Sequence, residues 1–264
     1  MKRLDEFKDL NIVFFTRSCN KNLYELSGKT IKLPFKRIPL RFTTADGYFY
    51  SMIKYKVDIA INIDEDAFIF DNDLLVELLR FFLNNNYVNC GFPDGGVLPI
   101  RYHNPLITNP FFNIIDLRVL REKFSYKLID YYRVFKDEYK EKTPSHLLKS
   151  DYNYDMYEPY YPFFLWISQN YKVLYLDAEV HHDGISTVLK DHKNNPFLFH
   201  SWYSRTYGID EMHTNRINSL ITECGVNPQN LKINQLERFK NANVFPYYVL
   251  TRKVLKKIGI LKYV

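Results

Sequence analysis

Asp64 and Asp66 are two residues apart, a spacing at which two carboxylates can bind one metal ion. Neighbouring carboxylates repel one another and are costly to remove from water, so a cation or hydrogen-bond donors must compensate them. If the chain bends here, both could bind one divalent metal ion, a hard cation that takes oxygen ligands and can also hold a diphosphate. Glu65, between them, is expected to face away. An acidic strand end that faces solvent is the alternative.

A second pair with the same spacing, Asp71 and Asp73, provides an internal comparison. It directly precedes the apolar run at 74–79, and this order is typical of a helix cap. Asp64 and Asp66 instead follow residues 57–63, where apolar side chains alternate as in a strand with a packed face. The position after a buried strand favours this pair as metal ligands.

Glu158 precedes an apolar segment that predicts a helix at 163–170. Pro159 suits the first position of a helix, which would place Glu158 at the helix start, where the helix dipole favours negative charge. A carboxylate fixed there, beside a metal-bound donor, could take a proton from an acceptor hydroxyl as a general base. An ordinary helix cap is the alternative.

His181 and His182 follow a predicted strand at 172–176. Adjacent side chains on an extended segment point in opposite directions, so at most one of the two is expected to reach a given metal. A hydrogen-bonded structural histidine is the alternative. Farther along, Lys190 and Arg205 are candidate partners for a phosphate group, or else solvated surface charges.

Alternating strands and helices must position these residues. Strands are predicted at 11–16, 36–44, 57–63, 87–92, 111–117 and 172–176, and helices at 48–55, 74–83, 118–139 and 163–170. The opening strand ends in Thr16 and Arg17, and α/β sheets place nucleotide contacts at such strand ends. The short connections between elements predict a layered α/β domain.

The composition is that of a globular protein with one sizeable core. The chain has 264 residues, of which 46% are hydrophobic and 25% charged; this balance does not suit a disordered chain. Cys19, Cys90 and Cys224 are far apart, which argues against a thiolate zinc site or a disulfide framework and fits a reducing cytoplasm. A charged amino terminus and the lack of a long apolar run predict neither a signal peptide nor a transmembrane helix.

The net charge of +6 is concentrated at the carboxyl end. No acid follows Glu237, whereas seven basic residues do: Arg238, Lys240, Arg252, Lys253, Lys256, Lys257 and Lys262. Without those seven charges the remainder carries about −1, which argues against nucleic acid as the main partner. We expect two parts, a catalytic domain at 1–210 and a helical segment with a basic amphipathic tail at 211–264.

The tail itself suggests a partner. A helix over 247–264 would line up Leu250, Val254, Ile258 and Leu261, with basic residues around them. This is the pattern of an interfacial helix that binds an anionic membrane, and a helix packed on its own domain is the alternative.

The order of these features resembles the nucleotide-sugar glycosyltransferases of the GT-A fold, particularly the large bacterial inverting family. That family has an opening strand, a strand ending in Asp-x-Asp, an acceptor-side loop region, and an acidic pair at a helix start before a further strand. A histidine then follows, often within His-x-x-Gly-x-Ser. The matching features here are Asp64 with Asp66, Glu158, and the stretch His181-His182-Asp183-Gly184-Ile185-Ser186. The resemblance covers about residues 11–207 and implies a Rossmann-like layered α/β fold with a central mixed sheet.

The resemblance also implies an activity. It is the transfer of a sugar, with inversion, from a nucleoside-diphosphate donor, first of all a UDP-sugar, to a glycan or lipid-linked glycan in bacterial surface polysaccharide synthesis. Asp66, Asp64 and His181 or His182 would bind Mn²⁺ or Mg²⁺, and Glu158 would activate the acceptor hydroxyl. The other implied contacts are with the donor nucleotide, at Thr16, Arg17, Asp46, Asp64, Lys190 and Arg205, and with the acceptor, at Asp94 and Arg101.

Departures from the family pattern leave alternatives open. The acidic pair usually ends in a second acid, and Pro159 occupies that place, so Asp155 could be the base instead. The glycine-containing loop usual before the Asp-x-Asp strand is not recognisable; Ser51 stands about where its glycine would be. Two other classes fit the residues: a two-metal phosphoryl-transfer enzyme, either a nucleotidyltransferase or a phosphohydrolase, and a non-catalytic protein whose aromatics stack on carbohydrate.

Overall fold

Strands and helices alternate through residues 2–41, 43–94, 103–149, 151–230, 236 and 239–260, which a computed structural model describes. The strands are Ile12–Arg17 (β1), Lys36–Leu40 (β2), Ile59–Ile63 (β3), Ala67–Ile69 (β4), Asn89–Pro93 (β5), Thr108–Asp116 (β6), Val173–Tyr175 (β7), Ala178–Val180 (β8), Thr187–Lys190 (β9) and Pro196–His200 (β10). The α-helices are Lys21–Thr30 (α1), Ala45–Lys54 (α2), Asn72–Asn84 (α3), Leu117–Lys123 (α4), Tyr126–Tyr131 (α5), Tyr161–Asn170 (α6), Glu211–Glu223 (α7) and Phe245–Lys257 (α8).

The strands form a central mixed sheet and a smaller second sheet. The central sheet has the order β2-β1-β3-β6-β5-β7, in which β6 runs antiparallel between β3 and β5 and the other pairings are parallel. The second sheet, of order β4-β10-β9-β8, is antiparallel. A mixed α/β architecture around a central mixed sheet, as predicted, is confirmed.

The inner strands of the central sheet are buried on both faces. Along β1, Val13 and Phe15 pack in one apolar cluster with α2 and α6, whereas Ile12 and Phe14 pack in another with α3. None of the four side chains is more than 4% exposed. Burying a side chain of this size stabilises the fold by roughly 2 kcal/mol, and a one-residue slip would exchange the two faces. The strand ends, and the residues that follow them, are therefore held in fixed positions.

Two predicted elements are wrong in extent. The strand predicted at 36–44 ends at Leu40, because Thr44 accepts a hydrogen bond from the Gly47 N–H and caps α2. The helix predicted at 118–139 is broken, because Phe124 is extended and Ser125 caps a separate helix, α5. A 3-10 turn at Asp137–Lys142 replaces its last part.

Helix α7 packs against the first helix. Ile217, Leu220 and Ile221 are fully buried in a cluster with Leu23 and Leu26 of α1. The two helices thus share a core, and the division predicted at residue 210 stays a prediction. In the described part of the chain, no helix has both the length and the apolar character that a membrane span requires.

Candidate metal and phosphate site

A cleft of about 370 Å³ opens where β1 and β3 end. Because the carboxyl ends of neighbouring parallel strands meet at one edge of a sheet, polar residues that follow these strands converge there. Six residues predicted from the sequence line the cleft: Arg17, Asp46, Asp64, Asp66, Glu158 and Arg205. His200, Trp202 and Lys253 line it as well.

A tight turn carries Asp64 and Asp66 into the cleft. The Ala67 N–H donates to the Asp64 carbonyl at 3.2 Å, so the chain bends sharply between β3 and β4. One carboxylate oxygen of each aspartate and one ring nitrogen of His200 all lie within 4.8 Å of one another. Two oxygens and one nitrogen at this spacing fit a single divalent metal ion such as Mn²⁺.

Glu65 has a structural contact instead. Its carboxylate accepts hydrogen bonds from the backbone N–H groups of Cys19 and Asn20, at 2.8 and 2.7 Å. This buried side chain ties the loop after β1 to the turn after β3. It thereby fixes the turn that carries Asp64 against the loop that directly follows Arg17.

Burial and the closeness of three carboxylates raise pKa values in the turn at 64–66. Desolvation, followed by repulsion from Asp66, raises the pKa of Asp64 well above its usual value, although Arg17 opposes the shift. Burial also raises the pKa of Glu65 to about 8, against the two backbone donors. A divalent cation among these groups would favour their ionised forms and relieve the repulsion.

His200 is a residue that the sequence did not assign to this site. Its Nε2 lies 3.5 Å from Asp66 Oδ1, and its ring stacks on Phe111 with centroids 4.3 Å apart. The pairing of β10 with β4 places His200 opposite Ala67, directly after the acid pair. Its buried Nδ1 has no hydrogen-bond partner among the residues that the structure describes. An imidazole held this firmly, with nitrogen atoms not committed elsewhere, suits a metal ligand.

Of the two candidate bases, Glu158 lines the cleft and Asp155 does not. Asp155 Oδ2 lies 3.0 Å from His103 Nδ1, and Asp155 also accepts the Tyr157 N–H at 3.3 Å. These contacts hold Asp155 in a local turn. The geometry therefore favours Glu158 for any proton transfer in the cleft.

The predicted position of Pro159 as the first residue of the helix is wrong by two residues. Helix α6 begins at Tyr161, and Pro162 rather than Pro159 occupies its first turn. The Glu158 carbonyl accepts the Tyr161 N–H at 3.1 Å, so Glu158 lies in the turn before the helix. Pro159 and Pro162 both suit a first turn, and the fold uses the second.

Three cations line the cleft together with the acids. Arg17 is the last residue of β1, Arg205 follows β10, and Lys253 lies in α8. Arg17 Nη2 donates to the Thr43 carbonyl at 3.4 Å, whereas its buried Nε has no partner in the described ranges. Guanidinium groups placed in this way can bind phosphate oxygens.

Thr16 and Lys190 are not in the cleft wall. The buried Thr16 hydroxyl accepts from Arg37 Nε at 2.9 Å. Lys190 Nζ lies 2.6 Å from a carboxylate oxygen of Glu179, in the second sheet. Their predicted contacts with the donor are not part of this geometry.

Asp94, one of the two predicted acceptor residues, does not line the cleft. Asp94 is fully buried and accepts from Asn109 Nδ2 at 2.7 Å and from the Tyr161 hydroxyl. It is thus a core hydrogen-bond acceptor. Arg101 lies outside the described residues.

His181 and His182 are directed elsewhere. They form a cluster with Glu223 at the end of α7, separate from the group that Asp64, Asp66 and His200 form. The His181 N–H donates to the Ser186 carbonyl at 2.8 Å, which closes the turn after β8 on itself. The predicted ligand pair is therefore corrected: His200 occupies the place expected for His181 or His182.

The pairing of strands explains why His200 was missed. It ends an apolar strand and sits in no recognisable motif, and only the contact between β10 and β4 brings it to the acids. A histidine at the end of a buried strand is the one local signal that the sequence offers.

Comparisons with known proteins leave the family open. No family model and no curated protein sequence matches the chain. A197 from STIV is similar at 12% identity and a TM-score of 0.36, over 72% of this chain and 94% of its own. The mannosyltransferase PcManGT from Pyrobaculum calidifontis, in complex with GDP-Man and Mn²⁺, is similar at 7% identity and a TM-score of 0.35, over 95% of this chain and 75% of its own. Similarities at this level do not define a family, so the function rests on the site itself.

Proposed function

We propose that the protein is a metal-dependent glycosyltransferase of the GT-A type, which moves a sugar from a nucleoside-diphosphate donor to an acceptor hydroxyl. One observation carries the proposal: a single cleft contains a paired-acid and histidine group, two arginines and a further carboxylate. Sugar transfer from such a donor needs charge compensation at the diphosphate and a base at the acceptor.

The donor end of the cleft is formed by the acid pair and the arginines. Asp64, Asp66 and His200 would hold Mn²⁺ or Mg²⁺, which when bound neutralises charge on the leaving diphosphate. Arg17 and Arg205 bind the phosphate oxygens through charge-assisted hydrogen bonds. Asp46, a buried residue of the same wall that accepts from the Thr44 hydroxyl at 2.8 Å, would be the contact to the nucleoside, and a UDP-sugar is the first donor to test.

Glu158 supplies the acceptor end. Its carboxylate takes the proton of the acceptor hydroxyl as that oxygen attacks the anomeric carbon of the sugar, while the bond to the nucleoside diphosphate breaks. Attack from the face opposite the leaving group gives inversion. Holding donor and acceptor in line supplies much of the rate enhancement.

An adjoining groove supports a lipid-linked glycan as the acceptor. This groove of about 610 Å³ runs beneath α8 and shares Arg17, Arg205 and Lys253 with the cleft. Five apolar residues line one part of it, namely Ile209, Phe245, Pro246, Val249 and Leu250, and Cys19, Asn20 and Glu65 complete the wall. The apolar part matches the chain of such an acceptor, and Lys253, which is not assigned to the donor phosphates, would bind its anionic head.

The exposed side of α8 supports peripheral binding to an anionic membrane. Leu250, Val254 and Ile258, spaced along one face, are 50–60% exposed, and Lys253 and Lys257 are exposed beside them. Apolar residues insert at such an interface while the lysines attract lipid headgroups. Leu261, also predicted for this stripe, lies outside the described residues. A transferase using a lipid-linked glycan would work at the inner face of the membrane in surface polysaccharide synthesis.

A thermal-shift screen tests the central proposal. The intact protein is heated with nucleoside diphosphates and their sugars, each with Mn²⁺ and with EDTA. We expect at least one nucleotide to raise the melting temperature in Mn²⁺ only, because a ligand that binds the folded state alone stabilises it. Stabilisation by none of them would overturn the proposal.

A turnover assay separates the transferase from a phosphoryl-transfer enzyme. The transferase releases nucleoside diphosphate from the stabilising donor faster when a sugar or lipid-linked acceptor is present. Rapid cleavage of nucleotides that carry no sugar, with no response to acceptor, would favour the phosphoryl-transfer enzyme instead.

A further inference from the structure

A second cluster of metal-binding side chains lies outside the cleft, between the second sheet and α7. His181 and His182 follow β8, and Glu223 is the last residue of α7. One ligand atom from each of the three lies within 4.8 Å of the other two. The cluster thus joins the turn after β8 to the end of α7, and His181 and Glu223 are 42 residues apart in the chain.

One pair of atoms in the cluster already has the separation of two ligands on a tetrahedral ion. His181 Nε2 and Glu223 Oε2 are 3.4 Å apart. Two ligands that each lie about 2.05 Å from a tetrahedral zinc ion are separated by about 3.3 Å. The pair can therefore share an ion with little movement.

Adjacent histidines do not usually converge, and here they do. Side chains of neighbouring residues on a strand point to opposite faces, but the His181 and His182 rings are only 3.9 Å apart, tilted by 41°. The chain leaves the strand at this point in a tight turn, in which the Gly184 N–H donates to the His181 carbonyl at 2.9 Å and Gly184 has φ of +72°. A simple ion pair of His181 with Glu223 does not require His182 at this position.

Asp183 contacts the far nitrogen of His181 in two ways. Its backbone N–H donates to Nδ1 at 3.3 Å, and its Oδ2 lies 3.4 Å from the same nitrogen. A metal on Nε2 would place the ring proton on Nδ1, and Asp183 Oδ2 is the group that would then accept it. Asp183 is itself held by the Ser186 hydroxyl at 2.6 Å and by the N–H groups of Ile185 and Ser186, at 2.9 and 2.7 Å. A carboxylate on the far nitrogen fixes the tautomer and orientation of a ligand histidine.

We propose that His181, His182 and Glu223 form a binding site for Zn²⁺ or a similar transition-metal ion, distinct from the metal group of the cleft. Two imidazoles and one carboxylate suit zinc, whereas Mg²⁺ and Mn²⁺ prefer sites richer in oxygen. Water completes the four ligands, since His182 and Glu223 are exposed.

The proposed zinc site is connected through Arg216 to Trp202 and Tyr203, which line the cleft. Arg216 of α7 contacts Asp183 through Nη1, and it donates through Nη2 to the Trp202 carbonyl, both at 3.4 Å. Trp202 and Tyr203, with φ of +59° and +57°, adopt the left-handed conformation, which costs side-chain-bearing residues energy. A metal ion bound by His181, His182 and Glu223 would therefore link α7 to the turn after β8. Arg216, which contacts the strained segment, lies in α7 and also contacts this turn through Asp183.

Calorimetric titration with ZnCl₂ tests the proposal on the full chain, prepared without an affinity tag and stripped with EDTA. An Asp66→Ala/His200→Ala background removes the group in the cleft. We expect this background to bind one equivalent of zinc and to give the visible absorption of four-coordinate Co²⁺ when cobalt is used. His182→Ala and Glu223→Gln, both at exposed positions, should each weaken zinc binding at least tenfold.

Matched variants give the control. His192→Ala and Glu211→Gln remove the same side-chain types elsewhere and should leave the zinc affinity unchanged. Absence of zinc binding in the background protein would overturn the proposal, as would binding that survives both His182→Ala and Glu223→Gln. A failed nucleotide screen would not affect this result, because the two tests use different residues and different ligands.

Discussion

Two Asp-x-Asp pairs lie within ten residues of each other and have different environments. Asp71 accepts hydrogen bonds from the N–H groups of Asp73 and Leu74, both at 3.0 Å, and so caps α3. Asp64 and Asp66 cap none of the helices that the structure describes; their turn lies in the cleft wall beside His200.

The contrast shows that the element after the pair decides its role, because both pairs follow short buried strands, β3 and β4. Residue 71 leads directly into α3, whose first N–H groups donate to the carboxylate of Asp71. Asp66 is instead followed directly by β4, and the carboxylates of Asp64 and Asp66 reach the cleft. Spacing alone does not distinguish a ligand pair from a cap.

The largest expected effect is on the rate of transfer, when Asp66 is replaced and the pair Asp71 and Asp73 is left intact. We expect Asp66→Ala to reduce Mn²⁺-dependent transfer at least about 100-fold, since the metal supplies several kcal/mol of stabilisation to the departing diphosphate. EDTA should have the same effect on the native protein. Initial rates of nucleoside-diphosphate release measure it.

Asp73→Ala is the matched control for Asp66→Ala. It removes the second aspartate of the other pair and should keep transfer within twofold of the native rate. Equal losses in the two variants would contradict the assignment of separate roles.

A second pair of acids allows the same comparison at the acceptor end. We expect Glu158→Gln to lower kcat by about 10²–10⁴ while the donor still binds, because a general base contributes about that factor. Asp155→Asn, which keeps its local turn and does not line the cleft, should retain most activity. The test is kcat measured beside donor affinity; a larger kcat loss in Asp155→Asn would move the base to Asp155.

Local patterns made one half of this site predictable. Alternating apolar residues identified β3, and the acids that follow it identified the bend at Asp64 and Asp66. The same reasoning identified Arg17 after β1. Each of these inferences needs only the residues adjacent in sequence and the rule that strand ends meet at one edge.

The rest depends on contacts between distant parts of the chain. His200 reaches the acids only because β10 pairs with β4, more than 120 residues away in sequence. The turn after β8 places His181 beside Glu223 of α7, and the residues adjacent to His181 in sequence do not predict this contact. The start of α6 was misplaced for a different reason, since Pro159 and Pro162 are equally suited to a first turn.

A smaller effect is expected from the cations of the cleft. Arg205→Ala should weaken donor binding about tenfold, because a charge-assisted hydrogen bond to phosphate contributes about 1.5–3 kcal/mol. Arg133→Ala, at a surface ion pair with Asp130, should not change the donor affinity. Titration in Mn²⁺ at two salt concentrations measures both; an unchanged affinity in Arg205→Ala would exclude Arg205 from the phosphate site.

The smallest expected effect is on stability. Here the helix cap at Asp71 should matter more than Asp66, which is the reverse of the order expected for activity. Asp71→Ala leaves two N–H groups of α3 without their acceptor, so it should lower the free energy of unfolding by about 1 kcal/mol and the melting temperature by about 2–4 °C. In EDTA, Asp66→Ala should cost less than that, because it removes a charge that repels Asp64. The measurement is the melting temperature of both variants in EDTA. Without a metal ion, the carboxylates of Asp64 and Asp66 repel each other, whereas the cap at Asp71 stabilises α3 whether or not a metal ion is bound. A larger loss in Asp66→Ala would mean that its carboxylate is structural, like that of Asp71.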